Sequence, residues 1–175
     1  MTNLRKVTEG TTEEFSNFAY QAARLGIELG KTTQDIVQIS VEFARLGYDM
    51  KESLMLAQEA ALLANVGVMT IEESTKALIA TVKGFGVAVD DQGDNIRKVV
   101  DMINEVGNNF AISQHGISEA LRRSSASLRE SGNEMEEAIG LIVAANSAIQ
   151  DPAITGTALK TVSMRKINAP LCSNI

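Results

Sequence analysis

At five places along this 175-residue chain a side chain able to cap a helix, followed three places on by an acid, stands ahead of an apolar stripe. The pairs are Thr11 with Glu14, Thr32 with Asp35, Asp49 with Glu52, Thr70 with Glu73, and Asn133 with Glu136. At this spacing the first side chain accepts from a backbone N–H in the first helical turn, and the acid reaches back to the capping residue's own N–H. Two donors that the helix leaves orphaned are thus satisfied together. Behind each pair runs an apolar stripe at spacings of three and four, which marks one face of a helix. After the first four stripes glycine follows, where a left-handed residue is commonly needed to end a helix.

The stripes can be followed in order. Phe15, Phe18, Ala19, Ala22 and Leu25 lead to Gly26 and Gly30; Ile36, Ile39, Phe43 and Leu46 lead to Gly47. Leu54, Ala57, Ala61 and Ala64 end at Gly67, and Ile71, Leu78, Val82 and Phe85 end in "GFG". A fifth helix starts near Asp94 and carries Ile96, Val99, Val100, Ile103 and Val106 to Gly107. A sixth starts near Ser113 and carries Ile117, Ala120, Leu121, Ser124 and Leu128 to Gly132. The seventh shows Met135, Ile139, Ile142, Ala145 and Ile149. Asp151-Pro152 opens an eighth, running to about Arg165, because proline is pre-organised for the first helical position. Only "GVAVDD", Gly86 to Asp91, suggests a short extended piece.

The expected fold is therefore all-α, one domain of about eight short helices packed as antiparallel hairpins. Residues 1–10 read as a lead, 11–165 as the domain, and 166–175 as a disordered tail with Pro170 between polar flanks. "ARLG" occurs twice (Ala23 to Gly26, Ala44 to Gly47), which permits a solenoid, but helix-repeat families carry a sharper consensus. Aromatics are only 4% and Trp is absent, so Ala, Leu, Ile, Val and Met must build the core, with close helix packing favoured over a sandwich. The scattered methionines (Met50, Met55, Met69, Met102, Met135, Met164) read as core filling.

Charge and cysteine narrow the partners. A net charge of −6 argues against direct binding of a nucleic-acid backbone, which needs a basic footprint. The single Cys172 cannot form an internal disulfide. "MTNLRKVTEGTTEE" has no apolar segment behind its basic residues and does not read as a signal peptide. "AIGLIVAANSAI", Ala138 to Ile149, is too short and too polar at Asn146 and Ser147 to span a bilayer.

Candidate chemistry is sparse. "LGIELGKTT", Leu25 to Thr33, imitates a phosphate-binding loop, but Gly26 and Gly30 enclose one residue too few and a helical stripe stands where a strand is required. The simpler reading ends one helix at the glycines and caps the next with Thr32. His115 is the only histidine and falls in the first turn of the sixth helix. "DDQGDN", Asp90 to Asn95, lacks the order of a calcium loop and reads as a turn with a helix cap. Arg122, Arg123 and Arg129 form the densest basic group, with Glu119 and Glu130 nearby; a solvated face is the default and a partner face the alternative. No catalytic residue, metal site or cofactor is assigned, and no enzyme is expected.

One long segment carries more. "DMINEVGNNFAISQHGISEALRRSSASLRESGNEMEEAIGLIVAANSAIQDPAITGTALKTVSMR", Asp101 to Arg165, closely resembles the core region of phage tail tape measure proteins. "LGKTTQDIVQISVEFARLGYDMKESLMLAQEAALLANVG" and "TIEESTKALIATVKGF" resemble the same region in the same order. "EVGNNFAIS" and "QDPAITGTALKTVSMR" are the most specific pieces, and the likeness runs from about Thr11 to Arg165.

The resemblance implies a structural role: setting tail length, assembling the tail and helping DNA cross the host envelope. It implies tail tube proteins and tail assembly chaperones as partners, with self-association possible. It places the chain in the host cytoplasm during assembly and then in the lumen of the virion tail. It carries over no catalytic residue. Asn108, Asn109 and Phe110 are expected to organise the motif loop, with Phe110 buried and the Asn side chains bonded to backbone. Family members are usually far longer, and "KINAPLCSNI" does not resemble their continuation, as a truncated gene, frameshift product or fragment would explain. The competing reading is a stand-alone helical binding module left by a degenerate prophage.

Overall fold

The structure is a computed structural model that describes residues 6–8 and 10–168. Among the described residues there are eight α-helices and no strand. They are α1 (Thr12–Leu29), α2 (Thr33–Ala44), α3 (Met50–Val66), α4 (Ile71–Phe85), α5 (Asp94–Asn109), α6 (Gln114–Glu130), α7 (Met135–Ile149) and α8 (Pro152–Asn168).

Four of the five cap pairs form as read, at Thr11, Thr32, Asp49 and Thr70. The fifth moves by one residue. Glu134 is the N-cap of α7, and its N–H donates to the Glu137 carboxylate at 3.0 Å. Asn133 is already committed to the end of α6, where its Nδ2 donates to the Leu128 carbonyl at 2.9 Å and to Ser131 Oγ at 2.8 Å. Ser113 caps α6 through the Gly116 N–H, and Asp151 Oδ1 accepts from the N–H groups of Ala153 and Ile154.

The glycines divide into two kinds. Gly30, Gly47, Gly86 and Gly132 have positive φ and end helices as expected. Gly26, Gly67 and Gly107 do not have positive φ. Gly26 lies inside α1, where a Cβ would stand 2.8 Å from the Lys31 carbonyl oxygen. Gly107 lies inside α5, where a Cβ would meet Gln114 Cγ at 2.8 Å, and the helix runs on to Asn109. After Gly67 it is Val68 that takes the left-handed conformation, φ 49°.

The largest fully buried side chains come from six helices: Ile36, Ile39 and Phe43 on α2, Leu56 and Leu63 on α3, Leu78 on α4, Ile96 and Ile103 on α5, with Ile117, Leu121 and Leu128 on α6 and Ile142 on α7. Most consecutive helices pack together, but the most extensive contacts join α6 to α4 and to α8. Small residues permit this. Gly84 on α4 leaves room for Ser125, whose Oγ donates to the Ala80 carbonyl at 2.8 Å. Gly156 on α8 lies against the backbone of Ala120, where a Cβ would be 2.7 Å from the carbonyl oxygen. Between α7 and α8, buried Thr155 donates to Asn146 Oδ1 at 3.4 Å. α8 continues to Asn168, past the Arg165 expected; the rest of the expected tail and most of the expected lead lie outside the described residues.

Candidate interaction surface

In the imitation phosphate loop the backbone donors of Gly30, Lys31 and Thr32 are already engaged. The Gly30 N–H is given to the Ile27 carbonyl, Lys31 N–H to Gly26, and Thr32 N–H to the Asp35 carboxylate. Thr32 Oγ1 accepts from Asp35 N–H at 3.1 Å. A phosphate would have to displace a helix cap. In the acidic turn, Asp90 Oδ1 accepts from Asn95 N–H, while Asp91 and Asp94 face Lys51 and Arg97. Among the described residues no group of three or more His, Cys, Asp or Glu is placed to hold a metal ion. No helix there is long and apolar enough to cross a membrane.

His115 lies in the first turn of α6, its Nε2 3.9 Å from Glu73 Oε1, at the edge of a polar cleft of about 380 Å³ between α4 and α6. The cleft's carboxylates are already engaged. Glu73 caps α4, and the hydrogen bonds from Thr70 hold its carboxyl below the usual range. Glu119 accepts two bonds from Arg122 at 2.8 Å each and one from Arg123 at 2.7 Å, which lowers its pKa despite partial burial.

The motif residues at the end of α5 differ from expectation. Asn109 does bond to backbone, its Nδ2 donating to the Glu105 carbonyl at 2.8 Å. Asn108 instead bonds side chains: it donates to Asn104 Oδ1, and its own Oδ1 accepts from Gln114 Nε2 at 2.9 Å, stitching α5 to the start of α6. Phe110 is not buried. It is the extended C-cap residue of α5 and is 56% exposed. Because α5 runs on past Gly107, the core position of this loop falls to Ile112, 6% exposed.

Arg122, Arg123 and Arg129 stay on the surface, but each is paired within its own neighbourhood, the first two with Glu119 and the last with Glu134. Only Arg123 borders an apolar feature, a shallow trough of about 550 Å³ along α8. Sequence reasoning did not find this trough. Ile154, Val162, Met164 and Ile167 are all exposed on α8, whereas the buried residues of that helix are Thr155, Gly156 and Ser163. Thr155, Gly156 and Ser163 thus face inward with Leu159, while four larger apolar side chains face out. The available signal was the pairing of Gly156 with small neighbours, which marks a close helix contact. On α7, Leu141 and Ile149 are exposed too, in a stretch from Ala138 to Ile149 without a charged residue.

Comparison with known proteins gives one family. The family model described as "Phage-related minor tail protein" matches residues 19–171. No solved structure matches the chain.

Proposed function

The chain belongs to the phage-related minor tail protein family, and from that premise we propose that it is the folded core region of a tail tape measure protein. The observation that carries the proposal is the extent of the family match, 19–171, which takes in most of α1 and all of α2 to α8. The order of "EVGNNFAIS" and "QDPAITGTALKTVSMR" within it supports the finer reading.

On this reading the role is structural and not catalytic. The region sits in the tail lumen after assembly in the host cytoplasm, contacts tube proteins and assembly chaperones, and takes part in setting tail length and in DNA passage. DNA is handled through other tail components, in keeping with the net charge of −6. The test is an early stop codon in this gene in a phage that carries it. Loss of tails, or tubes of uncontrolled length, is expected under electron microscopy. Infectious particles with an unchanged distribution of tail lengths would overturn the proposal.

A further inference from the structure

We propose that the outer face of α8 is a docking site for an acidic amphipathic helix of a second protein. The inference stands independently of the tape measure reading. A helix at the edge of a fold ordinarily turns its apolar stripe inward. On α8 only Leu159 of the larger apolar residues packs against the core, because Gly156 is pressed against the Ala120 backbone, where a Cβ would come within 2.7 Å of the carbonyl oxygen. Turning Val162 inward would force α6 and α8 apart, so its 64% exposure is set by the packing.

The exposed face has the form of a helix receptor. In helix-to-helix packing a knob enters a hole made by four residues of the facing helix. Ile154, Thr157, Ala158 and Thr161 have that spacing, and Ala158, Thr161, Val162 and Arg165 repeat it one turn on. Between exposed Ile154 and Val162 the trough is lined by the smaller Thr157, Ala158 and Thr161. The hydroxyls of Thr157 and Thr161 each donate to a carbonyl one turn back at 2.9 Å, so neither needs a partner to take its proton. A lipid surface favours protruding aromatic residues, and the lining of this trough has none.

Charge sets the partner's sign. α8 carries Lys160, Arg165 and Lys166 and no acid, although the whole chain is at −6. Lys160 and Arg165 border the hollow that continues the trough; Arg123, on the trough itself, is already paired with Glu119. A helix with an apolar seam flanked by glutamates satisfies both the holes and these cations.

The test uses a fluorescent amphipathic peptide of about three heptads, with Leu at the seam and Glu beside it, titrated against the full chain by anisotropy. A second peptide carries Lys in place of Glu. Saturable binding of the Glu peptide is expected, weaker by about tenfold or more for the Lys peptide and for Val162→Glu, an exposed position whose melting temperature should match the parent's. Lys160→Glu with Arg165→Glu should reverse the preference. Absent binding, or equal binding of both peptides, overturns the proposal. So does a parent chain that sediments as a dimer and becomes monomeric with Val162→Glu, which would make a second copy the occupant. Binding to phosphatidylglycerol vesicles that Val162→Glu abolishes, without peptide binding, would assign the face to lipid instead.

Discussion

Glu59 is a carboxylate where the fold has little water to give it. It is 3% exposed on α3; Oε1 lies 3.5 Å from Arg97 Nε on α5, and Oε2 has no hydrogen-bond partner among the described residues. Burial raises its pKa, with Asp101 adding to the effect, and the charge and hydrogen bond of Arg97 only partly offset this. A carboxyl raised in the folded state favours folding most below its unfolded pKa, and that contribution is lost as pH rises through the folded value. Glu59→Gln should therefore melt higher than the parent at pH 7, with the gain disappearing below the usual carboxylate range. A lower melting temperature at pH 7 would mean that the pair with Arg97 outweighs burial. Glu73 and Glu119 are lowered, so what they contribute is present above their unfolded pKa and lost on acidification. Elsewhere at this scale, Thr32→Ala should cost about 1 kcal/mol as a lost cap, and Lys31→Ala almost nothing, with no ATP binding in either the parent or the variants. Saturable ATP binding lost with Lys31→Ala would contradict the bonding of that loop. Phe110→Ala should stay within about 0.5 kcal/mol, whereas Ile112→Ala should cost about 2 kcal/mol or more. The bulkier side chain draws attention in "NNFAIS", but only the true end of α5 decides which residue points inward.

Helix starts were legible because a cap is made by residues three apart and needs nothing from the rest of the fold. Asn133 shows the limit: its side chain could begin α7 or close α6, and the bond to the Leu128 carbonyl decides. Glycine was harder still. A glycine needed for positive φ and one needed for close approach look alike in a sequence, and Gly107, which reads as the first, is the second. Close approach is measurable against a glycine with open space around it. Gly156→Ala should destabilise by about 1–3 kcal/mol, since the new methyl meets backbone that cannot turn aside. Gly140→Ala, on exposed α7 with nothing within 4 Å, should stabilise by about 0.5–1 kcal/mol. Equal effects at the two sites in chemical denaturation would show that α8 does not sit as close to α6 as described.

For the molecule as a whole, the all-α class was readable, but the arrangement of α4 and α8 on either side of α6 was not. It rests on Gly84, Ser125, Gly156 and Ala120, residues too small to show in an apolar stripe. The same scale bears on what this region does in a tail. A ruler lengthens by a fixed rise per residue only if its helix is uninterrupted, about 1.5 Å per residue. Here helices of 12 to 18 residues fold back on one another, each spanning no more than about 27 Å. The proposed tape measure would therefore use this region as a folded, docking part, with its measuring stretch elsewhere. The most direct measurement is the length distribution of tails, by electron microscopy, from a phage whose gene lacks residues 33–106. Tails that fail to assemble or are disordered are expected, because α2, α3, α4 and most of α5 are gone from one packed core. Uniform tails, shortened in proportion to the residues removed, would contradict that expectation and show that this segment measures.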